Sequence, residues 1–175
     1  LINGEWCQGS GGVSQKLINP ATEEVIAHVP HASEHDLERA IEASSEGFKV
    51  WRNFTPLDRQ VIIEKAAILM ETRAEEIAKT LTLEMGKPLS EARLEIAFVV
   101  GVTRWYGEEG KRTYGRLIPP RIPGNRQMVI KEPVGPSCAF VAWNFPGVNV
   151  IRKVAGALAA GCSIVIKPSE ETPGT

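Results

Sequence analysis

Cysteine is scarce in this sequence, and its placement carries no metal or disulfide pattern. Cys7, Cys138 and Cys162 form no CxxC pair and lie far from any histidine cluster. An odd count without ligand spacing argues against a disulfide framework and for a reducing, cytoplasmic setting. An excess of one charge is also missing. Twenty Lys and Arg stand against 21 Asp and Glu, for a net charge of -1, and the basic residues are too scattered to form a footprint for nucleic acid. Long apolar runs are absent: Val141–Ile151 is broken by Asn, Pro and Gly, well short of the roughly 18 residues that read as a membrane span. No charged leader with an apolar core precedes the first extended run. There are no internal repeats, no low-complexity tracts and no G-x-G-x-x-G. His28, His31 and His35 straddle a strand end and a helix start, and read as solvated surface residues rather than metal ligands.

What is present is the composition of a soluble globular domain, 43% hydrophobic and 23% charged over 175 residues, enough to enclose a core. Leu1–Trp6 and Gln15–Pro30 read as extended arms of a hairpin joined by the turn Gly9–Gly12, with a further turn at Asn19-Pro20. Ser33 and Asp36 form a capping box that opens a helix, whose apolar face runs Leu37, Ala40, Ile41, Ser44, Phe48 and Trp51. Thr55, Pro56 and Asp58 open the next, with Val61, Ile62, Ala66 and Leu69 as the expected stripe. A restart or kink at Thr72–Glu75 leads to Ile77, Leu81 and Met85, then to Gly86 in the left-handed stop position. A further helix from Ser90 places Leu94, Phe98, Gly101 and Trp105 on one side and stops near Gly115.

Residues 116–136 are Pro-rich and irregular, with a strand at Gln127–Glu132. This bridging segment has no obvious partner within a two-layer domain, and reads as strands that pair elsewhere, with another subunit as one possibility. Residues 137–175 are the clearest part. Cys138–Ala142 is an apolar strand, Trp143–Gly147 a turn, Val148–Ala160 a helix of small residues ended by Gly161, and Cys162–Ile166 a second apolar strand. Strand, helix, strand is a βαβ unit and implies an α/β fold with a parallel sheet of doubly wound type. The small residues Ala155–Ala157, Ala159 and Ala160 would let the helix lie close to the sheet. The chain starts directly in an extended run and ends just after a strand that expects further neighbours, the pattern of part of a longer protein.

Several stretches, in this order, resemble the aldehyde dehydrogenase family. They are Asn19-Pro20-Ala21-Thr22, Glu84–Ala92, Glu108–Gly115, Trp143-Asn144-Phe145-Pro146, Ala157–Cys162, and Lys167-Pro168-Ser169-Glu170 through Pro173. The resemblance covers the whole chain. It implies an N-terminal hairpin and helices (1–115), bridging or oligomerisation strands (116–136), and the first βαβ unit of a Rossmann-type core (137–175). It also implies a homo-oligomer, a dimer or tetramer.

Members of that family attack an aldehyde with a Cys thiolate, pass hydride to NAD(P), and hydrolyse the thioester with a Glu-activated water. The resemblance makes Asn144 a side-chain donor to the oxyanion, a role whose loss typically costs roughly 3 kcal/mol of transition-state stabilisation. Read alone, Asn144 is a turn former or helix cap. Phe140, Val141, Ala142 and Trp143, with Asn144, would line the cofactor cleft. Lys167, Ser169 and Glu170 would hold the adenosine ribose; a carboxylate there repels a 2′-phosphate and favours NAD, with NADP as the alternative. Arg152 matches the residue that faces the substrate carboxylate in succinate-semialdehyde dehydrogenases, and a guanidinium grips a carboxylate through two parallel hydrogen bonds. Read alone, Lys167 and Arg152 are solvent-facing cations.

The sequence departs from the family at Ala142, where Pro is frequent. No cysteine fits the nucleophile, since Cys138 and Cys162 begin apolar strands where thiols are usually buried and inert. The expectation is that nucleophile and base lie outside these residues and that the 175-residue chain alone is inactive. A non-catalytic dinucleotide-binding or assembly module is the other reading.

Overall fold

The computed structural model describes residues 1–175. Its first element is an antiparallel hairpin of β1 (Ser14–Ile18) and β2 (Val25–Pro30), with a register shift between Leu17 and Ile18. The reversal lies at Asn19–Glu24. Asn19 Oδ1 accepts the Ala21 amide at 2.9 Å, and the Asn19 amide donates to the Glu24 carbonyl at 2.9 Å, the local self-bonding that makes Asn a turn residue. The expected turn at Gly9–Gly12 is therefore corrected, and Leu1–Trp6 forms no arm beyond an isolated Ile2–Glu5 bridge. The Gly-rich loop instead docks on the next helix: the Ser10 amide donates to Asp36 Oδ2 at 2.7 Å and the Gly11 amide to the His31 carbonyl at 3.1 Å.

Helix α1 (Glu34–Trp51) starts in the expected Ser33–Asp36 box, and α2 (Pro56–Thr72) in the Thr55–Asp58 box. The chain breaks at Arg73 before α3 (Ala74–Met85), which Gly86 ends at φ 75. There a Cβ would also come within 3.0 Å of Pro20 in the hairpin turn. Helix α4 (Leu89–Gly110) is central and packs on α2, on α3 and on α5 (Pro146–Ala159).

The helix faces differ from those expected. On α2, Ile63 and Ala67 are buried, while Val61, Ile62 and Leu69 are exposed. On α4 the buried stripe is Ala92, Glu95, Ile96, Val99, Val100 and Thr103, and Leu94, Phe98 and Trp105 lie outside. On α1, Leu37 and Ile41 are exposed as well. Apolar residues ring these helices, so periodicity permits more than one face; the packed face is the one whose small residues let neighbours approach. The centre is Ala78, Leu81, Ala92 and Ile96 between α3 and α4.

Strands β3 (Arg116–Ile118) and β4 (Gln127–Val129) pair with each other as an antiparallel ribbon whose residues are all exposed. The bridging segment thus finds a partner within itself. Strands β5 (Ser137–Phe140) and β6 (Ile164–Lys167) pair in parallel, with α5 crossing between them, as the sequence implied. The small residues of α5 also serve α4: Gly110 meets Ala159, where a Cβ would come within 2.9 Å of the Ala159 carbonyl oxygen, and Gly156 lies under Tyr106. Trp51 Nε1 and Arg59 Nη1 donate to the carbonyls of Leu158 and Ala159 at 2.9 and 3.0 Å, satisfying acceptors that a helix end leaves open.

Candidate active site

The carboxyl edge of a parallel sheet is where α/β folds place ligands, and the residues expected to hold the cofactor lie there. Phe140 and Lys167 are paired in register at the ends of β5 and β6. The Val141 amide continues the ladder to the Lys167 carbonyl at 3.1 Å, and its side chain is buried, so this residue anchors the turn. Ala142, Trp143, Asn144 and Phe145 then project outward, all exposed, before Pro146 starts α5. Phe140 and Trp143 give the edge two exposed aromatic faces.

Beyond β6, Lys167 Nζ donates to Glu170 Oε1 at 2.5 Å. That hydrogen bond holds the Glu170 carboxyl below the ordinary carboxylate range. Ser169 stays in the turn, where its Oγ accepts the Glu171 amide at 3.3 Å. An ammonium and a carboxylate on adjacent sites offer both a donor and an acceptor, the set that vicinal ribose hydroxyls need. The residues present therefore fit a dinucleotide.

Arg152 lies on α5, facing a cleft of about 450 Å³ whose charged lining is Lys87, Glu91 and Glu95, with Leu94, Phe98 and Phe145 as its apolar wall and Asn149 beside them. Its guanidinium sits 5.7 Å from the Phe98 ring centroid and enters no salt bridge. Asn144 lies in the turn, two residues before the first position of α5. Its side chain reaches the cleft through Asn149, whose Nδ2 donates to Asn144 Oδ1 at 3.3 Å. That bond leaves the Asn144 amide nitrogen free to donate elsewhere.

Three residues of this site escaped the sequence reading. Asn149, three positions before Arg152, had only helical spacing to reveal it. Glu95 had a clearer signal, a carboxylate within the stripe Ala92–Ile96–Val99. It is buried, and its Oε1 accepts the amides of Gly147 and Val148 at 3.1 and 3.4 Å. Lys87 pairs with the other carboxylate oxygen.

The cysteines correct one expectation. Cys162 is buried, but Cys138 is exposed, because alternate residues of β5 face opposite ways and Cys138 shares the uncovered face of Phe140. All three histidines are exposed. No helix is long and apolar enough to cross a membrane.

Known proteins share this architecture. The sequence profile of the aldehyde dehydrogenase family matches residues 6–175. A 4-(hydroxymethyl)benzenesulfonate dehydrogenase of Comamonas testosteroni is 45% identical over all of this chain and 37% of its own length. The crystal structure of succinate-semialdehyde dehydrogenase from Burkholderia pseudomallei superposes with a TM-score of 0.96 at 40% identity, over 98% of this chain and 36% of that one. A betaine aldehyde dehydrogenase of Staphylococcus aureus in complex with NAD+ follows at 0.93 and 33% identity, over 98% of this chain and 35% of that one. The chain thus spans just over a third of the length of these relatives. With sequence and backbone agreeing from the hairpin to the last turn, the chain belongs to the aldehyde dehydrogenase family.

Proposed function

We propose that the full-length protein oxidises an aldehyde carrying an acidic group, such as succinate semialdehyde, to the corresponding acid with NAD(P), and that this chain supplies the cofactor edge, the oxyanion donor and the substrate-anion contact. The observation that carries the reading is Arg152, a guanidinium without a carboxylate partner facing a cleft beside the Asn149–Asn144 pair. An anionic substrate group would complete it through a bidentate contact. Relatives named for a semialdehyde and for a sulfonated alcohol support the same substrate character.

In this mechanism Arg152 orients the distal acid, and Asn144 donates from its amide nitrogen to the oxygen that gains charge during nucleophilic attack. The dinucleotide, when bound, supplies the nicotinamide that accepts the hydride. Lys167 and Glu170 would hold its ribose, and the Glu170 carboxylate would favour NAD over a cofactor with a 2′-phosphate. Phe140, Ala142 and Trp143 would flank it. The thiolate nucleophile and the general base come from segments outside these 175 residues, as the family resemblance implies. The exposed β3–β4 ribbon is the surface through which copies would pair.

The test is steady-state NADH formation by the full-length protein with succinate semialdehyde and with an uncharged aldehyde of equal length. Arg152→Ala is expected to raise KM for the semialdehyde and leave that for the uncharged aldehyde in place. Equal effects on both substrates would remove the anion contact from the reading.

A further inference from the structure

We propose that Lys87 and Glu95 are positioning residues for Asn144: together they clamp the Trp143–Gly147 turn so that the Asn144 amide is aimed at the reacting oxygen. This rests on the oxyanion role proposed above and adds the groups that enforce it.

The geometry links both sides of the turn to α4. On the helix side, the buried Glu95 carboxylate takes the amides of Gly147 and Val148 through Oε1. A carboxylate at a helix start satisfies open donors and suits the positive end of the helix. Its other oxygen pairs with Lys87, whose side chain is itself only 9% exposed. On the strand side, Lys87 Nζ reaches the Asn144 carbonyl at 3.4 Å and sits 4.0 Å from the Phe145 ring centroid. One ammonium therefore touches Asn144, Phe145 and the carboxylate that holds Gly147. Rotation of the Asn144 peptide would break its contact with Lys87, and a shift of α5 would strip amides from Glu95.

Two chemical consequences follow. Glu95 occupies the Gly147 and Val148 amides, the first two of α5, so these cannot serve as oxyanion donors, and the Asn144 side-chain amide is a free donor beside them. Lys87 also neutralises Glu95, so an acidic substrate approaching Arg152 does not meet an unpaired buried carboxylate.

A double-mutant cycle in the full-length enzyme tests the clamp, using Lys87→Met, Asn144→Ala and the pair, with kcat, KM and NAD affinity measured for each. Lys87→Met keeps the stem against Phe145 and removes the ammonium. It is expected to lower kcat roughly 10- to 100-fold, the scale of a small misplacement of a reacting group, with NAD affinity and KM for an uncharged aldehyde unchanged. In the Asn144→Ala background the same substitution is expected to leave kcat almost unchanged, because the group it aims is gone. Lys87→Arg is expected to restore most of kcat. Glu95→Gln, which retains an acceptor for the Gly147 amide, gives a second entry to the cycle if Lys87→Met does not fold. Full additivity of either substitution with Asn144→Ala would overturn the clamp while leaving Asn144 as the donor. An Asn144→Ala enzyme with undiminished kcat would overturn the donor role and the clamp together.

Discussion

Asn144 holds its place through bonds that spare its own donor: Asn149 serves the side-chain oxygen and Lys87 the carbonyl. Asn144→Ala in the full-length enzyme is therefore expected to lower kcat by about 10²- to 10³-fold, the usual cost of deleting one oxyanion donor. Steady-state kinetics would show this with little change in KM, and an equal rise in KM would indicate lost ground-state binding instead. Arg152 calls for the opposite pattern. It rests on Phe98 without a salt-bridge partner, so its truncation should appear in KM for acidic aldehydes. Arg152→Lys should recover only part of the effect, because an ammonium lacks the planar fork. Asn144 and Arg152 could be singled out from sequence, since both stand in motifs around a recognisable strand–turn–helix. Glu95 and Lys87 could not be paired that way, because their contact crosses from α4 to the turn that precedes α5.

Among the elements, helix starts were the most legible and helix faces the least. Both capping boxes form as the residues predict, because a cap depends on four consecutive residues and little else. Thr55→Ala is expected to cost about 1 kcal/mol, measurable by urea unfolding. The Ser33 box carries an extra consequence. The Ser33 amide, then the Ser10 amide and hydroxyl, hold the Asp36 carboxyl well below the ordinary carboxylate range. A depressed folded-state pKa stabilises above the unfolded value near 3.9 and is lost as pH falls through the folded one. Wild type should therefore exceed Asp36→Asn in stability at neutral pH, with the gap closing progressively below about pH 4. A gap that stays constant down to pH 2 would count against this account. The buried faces of α2 and α4 differ from those the apolar spacing predicts, for the reason that makes these helices good packing elements. Each carries apolar residues around much of its circumference, and only neighbours decide which become core.

At the scale of the whole molecule, large apolar side chains remain uncovered on α4 (Leu94, Phe98, Trp105), on the β3–β4 ribbon (Leu117, Met128) and at Val134, which is 94% exposed. Large apolar side chains left in water at several places favour association with further polypeptide. The 175-residue chain expressed alone is expected to self-associate in size-exclusion chromatography with light scattering. It is also expected to form no NADH from succinate semialdehyde. A monodisperse monomer that melts cooperatively would contradict the first expectation, and turnover abolished by thiol alkylation the second.

Sequence alone determined the features whose physics is local: the Ser33 and Thr55 caps, the left-handed stop at Gly86, the parallel strand–helix–strand unit, and the motifs that carry the family. Each depends on a few adjacent residues, so neighbours in the chain suffice to specify it. Tertiary structure decided the rest: the hairpin reversal at Asn19 rather than Gly9–Gly12, the buried sides of α2 and α4, the exposure of Cys138, and the Lys87–Glu95 link to the Asn144 turn. These depend on which surfaces meet and which charges desolvate together, and residues dozens of positions apart settle that only once the chain has packed.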